Sequence, residues 1–419
     1  MLKRLMRALA PTDESGANPS AQDGSAWFDD LAQNTAWRGP DPAEHVAEGG
    51  SAPPQCAVRV IAFYLPQFHP IPENDAHWGE GFTEWTNVSK ALPQFPGHYQ
   101  PRLPGALGFY DLRLDAVQVR QAALARRYGI GGFCYHYYWF AGRRVMHGPI
   151  DRMLANPAVD IPFCINWANE PWTRAWDGHH DKVIIPWESD PASDRHFIDD
   201  VLPFLRDPRY IRIDGRPLLL VYRLSRLKDA QATLARWRER ARDASLPDLF
   251  IAAVLEARTI PGEGSGVDAA VEFPPHALSP LDRSDLHVPH HAAYAGRVYD
   301  YPAVVAAECV PKQDAIPRIR GVFPGWDNEA RLPGRGTSFH GGTPALYREW
   351  LSYAIRTMRD APGPKLAFIN AWNEWAEGAY LEPDRRFGCA YLEATRAAIA
   401  ENADCGTAGA PPTNAAKGP

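Results

Sequence analysis

The stretch 365–384, KLAFINAWNEWAEGAYLEPD, joins two kinds of sequence that seldom meet. Leu366 to Ile369 is a short apolar run bounded upstream by Pro362, Gly363 and Pro364, the pattern of a buried strand. It continues without a break into Asn370, Trp372, Asn373, Glu374, Trp375 and Glu377. Amides, indoles and carboxylates at the end of a core strand are costly to bury dry, because unpaired polar groups lose their hydration. Such an ending faces a cleft. Glu374 and Glu377 are three apart, so a continuing strand would send them to opposite faces, whereas a helical turn would bring their Cβ atoms to roughly 5–6 Å. Two carboxyls that close cannot both ionise easily; one pKa rises while the other stays low, the split that a general acid and its partner base require. The plainer alternative is a solvated helix start, where the dipole favours Glu, although Trp372 and Trp375 suit an ordinary surface turn poorly.

Upstream of this strand the chain alternates. Apolar strand-like runs at 58–65, 130–138, 161–167, 217–222, 249–254, 268–273 and 318–323 precede the one at 366–369, which makes eight. Helical spacing of apolar residues is expected over 112–128, 150–154, 194–205, 229–242, 301–308 and 344–359. The connection from the fifth to the sixth strand holds Pro261, Gly262, Gly264 and Gly266 and shows no helix. Eight apolar strands alternating with helices predict an α/β protein, a closed (β/α)8 TIM barrel with long aromatic-rich loops at its C-terminal face. An open doubly wound sheet is the alternative fold. The segment 67–110, with His69, His77, Trp78, Glu80, Glu84, Trp85 and His98, is too long for a passive loop. Residues 1–56 read as a disordered leader rich in Ala, Pro, Gly, Ser and Asp. Residues 57–403 read as the barrel and 404–419 as a disordered tail.

Forty-four basic against 50 acidic residues give a net charge of −6 with no long basic run, so nucleic acid is not an expected partner. The six cysteines include no C-x-x-C pair, and Cys134 and Cys164 sit inside apolar runs, as buried thiols of a reducing compartment do. The N-terminal MLKRLMRALAP is too short and too interrupted for a signal peptide. The expected location is cytoplasmic; residues 2–10 read alternatively as a weak amphipathic contact with an acidic membrane surface, peripheral at the inner membrane.

In a barrel, functional residues come from the C-terminal ends of several strands. Here those ends carry Tyr64; His136 and Tyr138; Asn166, Trp167, Asn169, Glu170, Arg174 and Trp176; Trp326 and Asp327; and the run Trp372, Asn373, Glu374, Trp375, Glu377 and Tyr380, with Glu84 and Trp85 from the loop after the first strand. Trp27 and Trp37 lie in the leader and Trp237 and Trp350 on helices, which leaves ten of the 14 Trp around this mouth. Indole faces stack on the apolar faces of sugars while Asn, Asp, Glu, His and Arg bond hydroxyls. The mouth is therefore expected to take an oligosaccharide or polysaccharide. For any single Trp, packing at the rim is the competing reading. Glu170, in Asn169-Glu170-Pro171, is open between a binding, a structural and a catalytic role. His69, His77, His136 and His147 show no H-x-x-x-H spacing, and the glycines at 262–266 no phosphate-loop context, so neither metal nor cofactor is expected.

Phe63-Tyr64-Leu65-Pro66-Gln67-Phe68-His69, Gly81-Phe82-Thr83-Glu84-Trp85, Trp167-Ala168-Asn169-Glu170, Thr173-Arg174-Ala175-Trp176-Asp177, Pro324-Gly325-Trp326-Asp327-Asn328 and Ala371-Trp372-Asn373-Glu374-Trp375-Ala376-Glu377-Gly378, with Leu381-Glu382-Pro383 following, together resemble the WbsX-like family of bacterial surface-polysaccharide clusters. That family is related to glycoside hydrolase family 99. The resemblance spans roughly residues 58–400. It implies a (β/α)8 barrel acting on glycans in lipopolysaccharide, O-antigen or rhamnan metabolism. From the retaining endo-α-mannosidase relatives it implies that Glu374 deprotonates the sugar's own 2-hydroxyl, which forms a 1,2-anhydro sugar, while Glu377 protonates the leaving oxygen. Pro171 departs from the family pattern. A donor-dependent glycosyltransferase is the second expectation, with Arg174 and Arg143 as the mouth's evident cations, and a non-catalytic glycan-binding barrel is the third.

Overall fold

The computed structural model describes residues 44–403, apart from 259. Eight parallel strands form a ring: β1 (Arg59–Tyr64), β2 (Gly132–Phe140), β3 (Phe163–Trp167), β4 (Arg216–Val221), β5 (Phe250–Val254), β6 (Ala269–Val271), β7 (Arg318–Ile319 and Gly321–Val322) and β8 (Leu366–Ile369). Each strand pairs with the next, and β8 returns to β1 with Arg59 opposite Leu366 and Ala62 opposite Ile369. The seventh strand is split at Arg320: its first half pairs with β6 and its second with β8. The expected barrel is therefore present, and the open sheet is not.

Nine helices are described: α1 (Pro72–Trp78), α2 (Trp85–Lys90), α3 (Asp115–Arg127), α4 (Gly148–Ala155), α5 (Pro191–Arg206), α6 (Ala230–Asp243), α7 (Tyr301–Glu308), α8 (Pro344–Asp360) and α9 (Ala390–Glu401). Among the described residues no helix joins β5 to β6, as the glycines and proline there suggest. The longest, α8, starts where Thr343 accepts a hydrogen bond from the Leu346 amide, with Pro344 in the first turn. Tyr347, Trp350, Leu351, Ala354, Ile355 and Met358 then form one buried face at helical spacing. The two short helices in the loop after β1, and α9, carry no strong apolar period and lie outside the elements the sequence predicts. Residues 44–56, assigned above to the leader, lie along the barrel: Val46 exchanges backbone hydrogen bonds with Phe387 and Cys389, and Glu48 pairs with Arg127 at 2.5 Å. The leader and tail assignments for 1–43 and 404–419, with the membrane contact through residues 2–10, lie outside the described residues.

Strand periodicity sorts side chains into those that reach the barrel interior and those that pack under the helices. Phe63, His136 and Phe273 meet inside the ring, with centroids 4.6–6.0 Å apart. Their neighbours face outward. Tyr64 bonds Gln121 of α3 at 2.7 Å. Trp167 stacks on Phe197 of α5 at 4.3 Å and tilts against Trp237 of α6. Both were expected at the sugar-binding mouth; their position one residue out of phase with the interior face places them in the wall instead. Trp167→Ala should lower the unfolding free energy by about 3–5 kcal/mol, measured by urea denaturation. A loss under about 1 kcal/mol would return the indole to the surface and to sugar contact.

Candidate active site

The exit of β8 builds the centre of the site. Asn373–Glu374 pairs antiparallel with Ala379–Tyr380, and Trp375–Glu377 makes one 3-10 turn between them. Side chains at i and i+3 eclipse in such a turn, which carries Glu374 and Glu377 to the same side. The turn closes on Gly378 at φ 63°, where an added Cβ would come to 3.0 Å from the backbone nitrogen and Cβ of Asp327. Only glycine meets both conditions. Asn373 clamps the turn to the exit of β1, accepting from the Leu65 amide at 2.8 Å and donating to the Leu65 carbonyl at 3.0 Å.

Glu374 and Glu377 open on a cavity of about 420 Å³ at the C-terminal ends of the strands. One wall is aromatic: Tyr138, Trp172 and Trp176 pack edge to face at 5.0–5.2 Å along the hairpin that follows β3, and Trp326 lines the same cavity. Glu170, Tyr222, Arg223 and Arg226 also line the cavity, as do His136, Phe273 and His276. Glu170 accepts from Arg223 Nε at 3.2 Å. Burial pushes His136 down to about 3 and, with Arg223 nearby, His276 to about 4, so both rings are neutral at pH 7, and the buried Nδ1 of each has no hydrogen-bond partner within the protein.

The pair is held by an arginine that no motif contained. Arg331 donates from Nη1 to Glu377 at 2.5 Å and from Nη2 to Glu374 at 3.0 Å, and it grips Glu84 through Nε at 2.9 Å and Nη2 at 2.5 Å. Gln67 Nε2 bridges Glu84 at 2.7 Å and Glu374 at 3.0 Å. Burial raises Glu374 to about 8; Arg331 opposes this, and Glu377 and Glu84 add to it. Glu377 is raised for the same reason, burial first, against the pull of Arg331.

Of the predicted residues, the structure brings His136, Tyr138, Glu170, Trp176, Trp326, Glu374 and Glu377 together around the cavity. The others support it from behind. Glu84 is fully buried. Trp85 donates to the Tyr110 carbonyl and packs on Phe68. Asn166 is sealed under the floor beside His136. Asn169 braces the β3 and β4 exits through both backbone groups of Arg223. Asp327 pairs with His98 at 2.7 Å. Trp372 is buried against Phe133. Trp375 donates to Glu382 and stacks on Tyr380, whose hydroxyl bonds Asp384. Arg174 and Arg143, expected as mouth cations, are engaged by Asp177 and Glu73. The cations of the cleft are Arg331, Arg223 and Arg226. Gln67 was visible in the motif after β1; Arg331 had only its place five residues beyond Trp326 as a signal.

Among the described residues no group of three or more His, Cys, Asp or Glu is arranged to hold a metal ion, and no helix is long and apolar enough to cross a membrane. A second cavity, about 290 Å³, lies outside the barrel wall at Glu272, whose carboxylate is already engaged by Lys312, Arg318 and Arg320.

The eight-stranded parallel barrel recurs in solved structures: a "glycoside hydrolase-like protein" superposes with TM-score 0.55 at 14% identity, over 87% of this chain and 99% of that one. The GH99 endo-alpha-mannosidase of Bacteroides thetaiotaomicron superposes with TM-score 0.51 at 16% identity, over 82% and 97%. By sequence the chain belongs to the family described as glycosyltransferase WbsX, whose model matches residues 60–395. It is 45% identical over 367 residues to the "uncharacterized protein WxcX" of Xanthomonas campestris pv. campestris (strain B100). That match takes 87% of this chain, which spans about half, 53%, of the relative's length.

Arg331→Met leaves Glu84 buried without its counter-charge, so stability at pH 8 should fall by about 3–5 kcal/mol. The loss should shrink toward pH 5 as Glu374 and Glu377, no longer opposed by Arg331, take up protons. An equal loss at both pH values would mean that Arg331 acts by packing alone. The proton on Glu374 has its own signature. Its folded pKa, about 8, lies above the unfolded value of about 4.3, so the folded state binds the extra proton between them. The resulting stability is complete below about pH 4.3 and is lost as pH rises toward 8. Glu374→Gln should therefore flatten the decline in unfolding free energy between about pH 5 and 8; an unchanged slope would contradict the raised value.

Proposed function

We propose that this chain is a glycan-active enzyme of bacterial surface-polysaccharide metabolism, acting on lipopolysaccharide, O-antigen or a related polymer in the cytoplasm. It breaks or transfers a glycosidic bond through Glu374 and Glu377. The observation that carries this reading is the placement of two carboxyls of raised pKa on neighbouring nitrogens of one guanidinium, both opening on an aromatic-walled cavity. Acid–base work on a glycosidic bond needs one carboxyl with a proton and one without at the same pH. A coupled pair that keeps one proton between its members meets that need.

In the endo-mannosidase-like scheme the shared proton sits on Glu377 at the moment of attack. Glu374 takes the proton of the sugar's 2-hydroxyl, O2 displaces the leaving oxygen at C1 to give a 1,2-anhydro sugar, and Glu377 delivers its proton to the departing oxygen. Water or an acceptor hydroxyl then opens the anhydro ring at C1, losing its proton to Glu377 while Glu374 returns one to O2. The configuration at C1 is retained. Deeper burial of Glu374, with a side chain 7% exposed against 22% for Glu377, agrees with a base held under the ring and an acid nearer the exit. Trp172, Trp176 and Trp326 supply the faces on which sugars stack.

A second reading, a donor-dependent transferase, is favoured by the family's description and by Arg223 and Arg226 on the cleft wall, suited to a donor's phosphates. The test is reducing-end release from mannose- and rhamnose-containing oligosaccharides and the producing cell's own polysaccharide, without nucleotide. Wild type should release product, and Glu374→Gln and Glu377→Gln should each lower the rate about 10²–10⁴-fold. Absence of release, together with saturable binding of a nucleoside-diphosphate sugar, would overturn the first reading in favour of the second.

A further inference from the structure

Glu84 stands where no substrate can reach it. It is wholly buried behind the cavity, and its carboxylate is engaged on every side: Arg331 through two nitrogens, Gln67 at 2.7 Å and Asn87 at 3.4 Å. A guanidinium has five N–H donors. Arg331 turns the edge formed by Nε and Nη2 to Glu84 and leaves Nη1 and the remaining Nη2 hydrogen for the two cleft carboxyls. The geometry is a bidentate ion pair backed against a carboxyl pair, with Gln67 tying the two together.

The charge count then matters. Arg331 facing Glu374 and Glu377 alone would favour ionisation of both, since an opposite charge within about 4–6 Å lowers a carboxyl pKa by about 1–3 units. Glu84 takes up that charge from behind. We propose that Glu84 is a charge-setting positioning residue, which neutralises Arg331 so that the Glu374–Glu377 pair keeps one proton at neutral pH. Other charged or titratable groups around the cavity are Tyr138 from β2, Glu170 from the β3 exit, and Tyr222, Arg223 and Arg226 from beyond β4. Arg223 is itself engaged by Glu170, and the histidines lining the same cavity are neutral. None of these groups bonds Arg331 from behind the pair. The use of the retained proton rests on the acid–base reading above, but its existence does not.

The experiment is an infrared pH titration of the full chain carrying 13C-labelled glutamate, with circular dichroism confirming the fold at each pH. The component of the protonated carboxyl band that Glu374→Gln removes, which sets it apart from Glu329 and Glu382, raised by burial to about 8 and about 7, should persist past pH 7 in wild type and disappear near 8. In Glu84→Gln the band should disappear at least about one pH unit lower. Glu84→Asp keeps the charge and should keep the band. An unchanged titration in folded Glu84→Gln would overturn the proposal. So would loss of the band in Glu84→Asp, which is read independently of whether the Gln variant folds. Because no turnover is needed, an unchanged titration would defeat this inference and leave glycan cleavage standing. A glycan panel without product would do the reverse.

Discussion

One guanidinium cannot neutralise three carboxyl groups, and in a buried site the uncancelled charge has little water to spread into. Arg331 sits among Glu84, Glu374 and Glu377 under that constraint. If all three were ionised the group would carry a net charge of −2 in a low-dielectric pocket. Retaining protons is the less costly solution, and burial drives Glu374 and Glu377 that way. The chemistry proposed for the cleft depends on this single arrangement: a proton available at neutral pH, beside a carboxylate able to take another.

The barrel exists around it as a positioning device. Residues that meet at Arg331 come from after β1, from the loop beyond β7 and from the turn after β8, so their approach depends on closure of the ring between β7, β8 and β1. Asn373 ties the last turn to Leu65, and Gly378 lets that turn pass against Asp327. Behind the turn, Trp375, Tyr380 and Tyr110 converge on Glu382 and Asp384. This is a second polar layer that fixes the rotamers of the first. Much of the tryptophan that suggests sugar binding in the sequence belongs to this supporting layer.

That division marks where sequence reasoning succeeds and where it stops. The eight strands are legible because period and apolarity are local properties, and α7 and β8 appear at the residues expected. Glu374 and Glu377 are legible because their spacing lies within one turn. Tyr64 and Trp167 mislead because position at a strand end says nothing about which face the side chain takes, and an offset of one residue moves it from cleft to wall. Arg331 is illegible for a different reason. It is 247 residues from Glu84 and over 40 from either partner in the pair, so nothing in its neighbourhood announces the contact.

The most direct measurement is neutron diffraction from deuterium-exchanged crystals at pH 7, which locates the protons on the three carboxyls. One deuteron on the Glu374–Glu377 pair is the result this account predicts. A pair without a deuteron would contradict it.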